Sequence, residues 1–241
     1  MIPAPSSKAP TATIAAMESP EQRREALSDL SREAHACVRC ALAKTRTTVV
    51  FGSGDPDAEL MFIGEAPGKR EDEAGTPFIG AAGKLLDKLL GEIGMQRSDV
   101  FVANVLKCRP PDNRDPRPSE IEECSSYLHS QISLIAPRVI CTLGNFSTKL
   151  LRADPTGITE LHGSPEVILL GGHSVCLYPV FHPAAALYKP SAVEVMRADF
   201  ARIPALLKLP LPDPQDGELK TPSPEIEAQL IEEPGGQTAM F

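Results

Sequence analysis

Four cysteines, Cys37, Cys40, Cys108 and Cys124, carry the spacing of ligands. The first two form a Cys-x-x-Cys, which lets two sulfurs of one loop point at one centre. The second two follow a strand-like run and lie beside a proline-rich turn. Thiolates arranged this way suit a metal ion or an iron–sulfur cluster. A disulfide pair, or unrelated buried thiols, would use the same residues, and spacing does not separate zinc from iron–sulfur. The opening Met1-Ile2-Pro3-Ala4-Pro5 lacks the basic start and apolar run of a secretory signal. A reducing, cytoplasmic setting is therefore expected, and it favours ligation over disulfides. Cys141 and Cys176 sit inside apolar runs and read as core thiols.

The cysteine pairs bracket Gly64-Glu65-Ala66-Pro67-Gly68, and further polar or aromatic residues stand at the ends of apolar runs. Phe78 can stack on a planar ligand or simply fill core. Asn104 offers a donor and an acceptor on one amide, or caps the next turn. His182 follows a strand-like run and precedes a stiffening proline. The other histidines, at 35, 129, 162 and 173, have no comparable setting. Glu65 and Glu71 are the carboxylates near this group, although Glu71-Asp72 also reads as a solvated acidic pair. Lys107, Arg109, Arg114 and Arg117 form the most basic local stretch, suited to phosphates. Gly80-Ala81-Ala82-Gly83 and Gly144-Asn145 open helical patterns, where backbone N–H groups suit anions.

The elements that must position these residues follow from periodicity. A chain of 241 residues with 42% hydrophobic content can bury one core, and no apolar run approaches a membrane span. Net charge is −8, but seven acids against Lys220 after Pro210 leave only −2 for the rest, so a basic groove is compatible with the total. Residues 1–18 read as a disordered arm and 209–241 as a disordered acidic, Pro-rich tail, with one folded domain over 19–208. Helices are expected over 19–36, 83–94, 118–134 with Ser119 as N-cap and Glu122 completing a capping box, and 193–207. Strands are expected over 59–64, 100–106, 138–143 and 172–181. Their alternation with helices predicts an α/β fold, a three-layer α/β/α sandwich with a mainly parallel four-stranded sheet. Ligands of such sheets gather at the carboxyl ends of strands. Those ends carry Gly64-Glu65, Asn104–Lys107, Gly144-Asn145 and His182-Pro183.

With these residues assembled, the chain resembles the family 4 uracil-DNA glycosylases, the iron–sulfur branch of their superfamily. The resemblance rests on Gly64-Glu65-Ala66-Pro67-Gly68 with Glu71-Asp72, Gly75, Pro77-Phe78 and Gly80 to Leu86; on Asn104-Val105-Leu106-Lys107-Cys108-Arg109-Pro110; and on His182-Pro183-Ala184-Ala185. It spans roughly residues 36–207. It implies excision of uracil from single- and double-stranded DNA in base-excision repair, without a lyase step, by a monomer near the nucleoid. It also implies a [4Fe–4S] cluster on Cys37, Cys40, Cys108 and Cys124.

By this resemblance Phe78 stacks on the flipped base, Asn104 reads its Watson–Crick edge, Ala66 lines the uracil site, and His182 donates to uracil O2. Other branches carry Asp where this chain has Ala66, which leaves Glu65 and Glu71 as catalytic carboxylates of equal standing. Lys107, Arg109, Gly144 and Asn145 are expected on DNA, with Leu187 as a wedge. Tyr188 stands where the family places an arginine. Sister glycosylases of broader range or of the DNA-trapping type, or a non-catalytic iron–sulfur DNA-binding module, are the alternatives. The terminal Gln237-Thr238-Ala239-Met240-Phe241 resembles a sliding-clamp-binding peptide, with Gln237, Met240 and Phe241 as its contacts.

Overall fold

The computed structural model describes residues 19–213. The expected N-terminal arm, most of the acidic tail and the clamp-peptide residues Gln237, Met240 and Phe241 lie outside them.

Helix α1 (Pro20–Ala36) starts at Ser19, whose Oγ accepts the Gln22 N–H while Gln22 Oε1 accepts the Ser19 N–H. This reciprocal pair satisfies two otherwise orphaned donors. A two-residue strand β1 (Ser53–Gly54) precedes β2 (Leu60–Gly64), α2 (Lys69–Ala74), α3 (Ala81–Glu92) and β3 (Phe101–Asn104). Then come α4 (Pro118–Ile135), β4 (Val139–Leu143), α5 (Asn145–Arg152), α6 (Ile158–Leu161), β5 (Glu166–Leu170) and β6 (His173–Val180). The chain closes with α7 (Ala185–Tyr188), α8 (Ala192–Phe200) and α9 (Ile203–Leu206).

The sheet has six strands in the order β1-β3-β2-β4-β6-β5, not four. The four expected strands form its parallel centre, and the two extra strands are antiparallel edges. β1 is too short for any pattern to declare it. β5 joins β6 through Gly171-Gly172, both at positive φ, with Leu170 opposite His173. Two glycines between apolar runs are the signal of a two-residue hairpin.

Each central strand is buried on both faces, as parallel strands under crossover helices must be. Met61, Ile63, Ala103 and Ile140 join one core with Leu128 and Ile132 of α4. Leu60, Phe62, Val102 and Cys141 join another with Leu86, Leu90, Met196 and Phe200. The Phe62 and Phe200 rings stack at 5.6 Å between centroids, and burying Phe62 fully stabilises the fold by about 2 to 3 kcal/mol. Cys141 and Cys176 are buried free thiols within these layers.

Two helical details differ from expectation. Arg117, not Ser119, is the N-cap of α4; Pro118 occupies the first turn, and Glu120 rather than Glu122 accepts the Arg117 N–H. The C-terminal stretch breaks into α8 and α9 instead of one helix. Among the described residues no helix is long and apolar enough to cross a membrane.

Candidate active site

A cavity of about 890 Å³ opens at the carboxyl ends of the four parallel strands. Glu65 and Ala66 reach it from β2, Asn104 from β3, Gly144 and Asn145 after β4, and His182 after β6. Phe78 and Glu71 complete one wall, from the segment between β2 and α3.

Ring, amide and imidazole converge there. Gly64 pairs with Asn104 across β2 and β3, and a Cβ on Gly64 would lie 2.5 Å from Asn104 Oδ1 and 2.6 Å from Phe78 Cζ. The missing side chain lets the Phe78 ring edge and the Asn104 amide pack close against β2. The Phe78 and His182 ring centroids are 5.5 Å apart.

Phe78 sits at φ +54, a conformation that costs a non-glycine residue about 1 kcal/mol or more. Three contacts hold it. Arg97 Nη2 donates to Pro77 O and Phe78 O, both at 2.9 Å. Glu71 Oε1 accepts the Ile79 and Gly80 N–H groups at 3.1 and 2.9 Å. Gly83 lets the helix pass so close that an added Cβ would sit 1.5 Å from Phe78 O. Arg97 has no distinguishing sequence context, so its clamping role is visible only in the fold.

Asn104 is buried, and its Oδ1 has no hydrogen-bond partner. A buried acceptor left bare costs about 1 to 3 kcal/mol, so one on a residue that lines a cavity marks a place for a ligand donor.

His182 is neutral near physiological pH: burial pulls its pKa down to about 4, only partly opposed by the nearby Glu71 carboxylate. The Ala184 N–H donates to its Nδ1 at 3.1 Å. A neutral imidazole that accepts at Nδ1 carries its proton on Nε2. A local turn thus assigns the tautomer.

The two carboxylates, equivalent in sequence, are not equivalent in place. Glu71 Oε1 is spent on the Phe78 loop. Glu65 makes no side-chain hydrogen bond among the described residues, and burial, with Asp115 repelling its charge, pushes its pKa up to about 7. Asp115 lines the same cavity. Asp72 is no solvated acid: it is buried and accepts the Thr47 and Thr48 N–H groups.

The four cysteines line one small hollow on the other side of β3, together with Arg39, Arg46, Lys107 and Tyr127. The end of α1 delivers Cys37, the following loop Cys40, the segment after β3 Cys108, and α4 Cys124. All four are free thiols. Donors converge on their sulfurs: Arg46 Nη1 on Cys108 at 3.3 Å, Arg39 Nε on Cys37 at 3.5 Å and the Lys107 N–H on Cys124 at 3.2 Å. Burial pushes the Cys108 thiol up to about 11, so as a bare thiol it would stay protonated.

Several expected DNA contacts are rearranged. Lys107 is not on the surface: it is 1% exposed, with Nζ bonded to Asn104 O and Gln131 Oε1. Strand β3 ends just before it, and the turn aims its side chain inward. Arg114 is committed to Glu120 through both terminal nitrogens, while Arg109 Nε donates to Asn113 Oδ1 at 2.7 Å. The Gly80 N–H is occupied by Glu71, and the Gly144 N–H by Val180 O. Asn145 Oδ1 accepts the Ile158 N–H. Leu187 and Tyr188, 52% and 68% exposed, project from α7 beside the cavity. His162, which no sequence context marks, also lines the cavity, held by Asp199 at 3.0 Å and packed on Phe181.

Comparison with known proteins agrees with this geometry. The model of the uracil DNA glycosylase superfamily matches residues 51–207. The type-4 uracil-DNA glycosylase of Archaeoglobus fulgidus is 45% identical over 74% of this chain and 92% of its own length. That of Sulfurisphaera tokodaii is 44% identical over 77% and 87%. That of Saccharolobus solfataricus is 45% identical over 72% and 83%. With a pocket built from the ends of the parallel strands and relatives that cover most of its length, the chain belongs to the uracil-DNA glycosylase superfamily and, within it, to the type-4 group.

Proposed function

We propose that this protein is a monofunctional uracil-DNA glycosylase, which hydrolyses the N-glycosidic bond of deoxyuridine and leaves an abasic site. The observation that carries the reading is the partnerless Oδ1 of Asn104, a residue of the cavity wall, beside a neutral imidazole whose proton is on Nε2. Uracil presents an N3–H between two carbonyl oxygens. Asn104 Oδ1 accepts that N–H and its Nδ2 donates to O4. Cytosine, with an acceptor at N3 and an amine at C4, would meet acceptor with acceptor.

A base in a duplex must leave the stack to reach this depth. The Phe78 ring supports its face, with Ala66 alongside. Bond cleavage puts positive charge on the sugar and negative charge on the departing uracil. His182 Nε2–H donates to O2 as that charge accumulates, while the Glu71 carboxylate opposes the charge on the sugar. Glu65, poised near neutrality and free of other bonds, takes a proton from the attacking water.

The cysteine hollow fits a [4Fe–4S] cluster held by Cys37, Cys40, Cys108 and Cys124. Among the described residues no three His, Cys, Asp or Glu side chains could hold a single ion, whereas all four thiols face one space with cationic donors around it. Such a cluster would supply a cross-link tying α1, the end of β3 and α4 together, and no step of the excision passes through it.

A labelled oligonucleotide with one uracil, incubated with the full chain and then heated in alkali, is expected to break at that position. Thymine or cytosine there is expected to leave it whole, and an intact uracil strand would refute the reading. Exposed Leu187 fills the space that a flipped base vacates. Leu187→Ala is expected to slow excision from duplex several-fold more than from single strands, since only the duplex must be unstacked. An equal loss on both would remove the wedge role.

A further inference from the structure

Lys107 is the largest charged side chain sealed in the interior among the described residues. Its ammonium donates to the backbone carbonyl of Asn104 at 2.7 Å and to Gln131 Oε1 at 2.5 Å. Gln131 is itself fully buried and is fixed through Nε2 to Phe51 O at 2.9 Å. Both acceptors are neutral, and no ion pair with a carboxylate reaches Nζ among the described residues. Burying an ammonium without a counter-charge is costly, and chains rarely keep one without a use.

The other end of the residue lies against the cysteine hollow. The Lys107 N–H donates to Cys124 Sγ, its neighbour in sequence is Cys108, and its carbonyl accepts the Val50 N–H at 2.8 Å. The residue therefore touches the wall of the cysteine hollow with its backbone and, with its side chain, the strand end that carries Asn104. Asn104 has its own side chain in the cavity and cannot brace itself there, since Oδ1 must stay bare for the base.

We propose that Lys107 is a positioning residue for base recognition, pinning the Asn104 main chain so that its amide presents the bare oxygen to uracil. This rests on the uracil reading above. Lys107 touches neither base nor DNA and acts only through Asn104.

The test uses the full chain with its iron in place and compares wild type with Lys107→Met, which keeps length and removes the charge. Iron per chain, thermal midpoint, affinity for duplex, single-turnover excision rate and inhibition by free uracil are all read. Excision is expected to slow about 10-fold and the inhibition constant for free uracil to rise by a similar factor. DNA affinity is expected to stay within about 2-fold, because phosphate contacts are untouched, and iron content is expected to match wild type. A lower thermal midpoint with unchanged excision and uracil inhibition would make Lys107 a packing residue and overturn the proposal. Loss of iron in step with activity would assign it to the centre's integrity and overturn it equally. Should Lys107→Met not accumulate folded, Gln131→Met removes the second acceptor and is expected to shift both readouts the same way, by less; no shift would overturn the proposal. Wild type inert on uracil-DNA would instead sink the glycosylase reading beneath it.

Discussion

Replacing His182 with alanine is expected to slow single-turnover excision of uracil by about 100- to 1,000-fold, the usual loss when one donor to a developing oxyanion is removed. Affinity for uracil-containing duplex is expected to change by less than about 2-fold, because binding is carried by phosphates and the imidazole meets only the base. The size of the effect follows from preorganisation. Nδ1 is already occupied by the Ala184 N–H, so Nε2–H points where it is needed without a tautomer change. A neutral donor also costs less to desolvate than an imidazolium, and burial has removed that alternative by lowering the pKa to about 4. Wild-type excision should accordingly show no step assignable to His182 above about pH 5. A loss of less than about 10-fold, or a loss confined to DNA affinity, would show that the imidazole only shapes the pocket wall.

The strands and the rim they build were legible because apolar runs ending in Gly64, Asn104, Gly144 and His182 leave little choice of topology. The edge strands were not equally legible. β1 is two residues long, and β5 could be inferred only by weighing Gly171-Gly172 as a hairpin. The side chains at the rim divide on a different ground. Phe78, Asn104 and His182 could be picked out as candidate site residues from type and place together with the family resemblance. Lys107 could not, because a lysine in a basic run reads as a surface charge until the turn after β3 sends it inward onto Gln131, 24 residues away. Arg114 misleads in the same way, since its partner Glu120 is near in sequence yet meets it only through the turn before α4. Glu65 and Glu71 look equivalent in a string of letters. Only the loop geometry, which closes Glu71 onto the Ile79 and Gly80 N–H groups, separates clamp from free carboxylate.

That separation leads to the prediction with the clearest sign. Glu65 has an ordinary pKa of 4.5 and is raised to about 7 in the fold by burial, with Asp115 adding repulsion. The folded protein thus holds a proton that the unfolded chain releases earlier. Stability tied to this proton is complete below about pH 4.5 and is lost as pH rises through about 7. The gap corresponds to about 3 kcal/mol. Glu65→Gln keeps the shape and cannot ionise, so urea unfolding is expected to find it more stable than wild type by about 2 to 3 kcal/mol at pH 8 and equal to it at pH 4. Activity should move the other way. Wild-type excision is expected to rise with pH through about 7 as the carboxylate forms, whereas the glutamine variant stays flat and runs about 100-fold slower at pH 8. Asp115→Asn, which removes the repulsion but not the base, should shift the midpoint of the wild-type rise to lower pH and leave its plateau in place. A glutamine variant that keeps the pH step would move the base elsewhere in the cavity. A variant that loses the step without gaining stability at pH 8 would mean that ionised Glu65 costs the fold nothing. The site is therefore expected to carry its working carboxylate at the expense of the protein's own stability, and the two measurements together read both sides of that exchange.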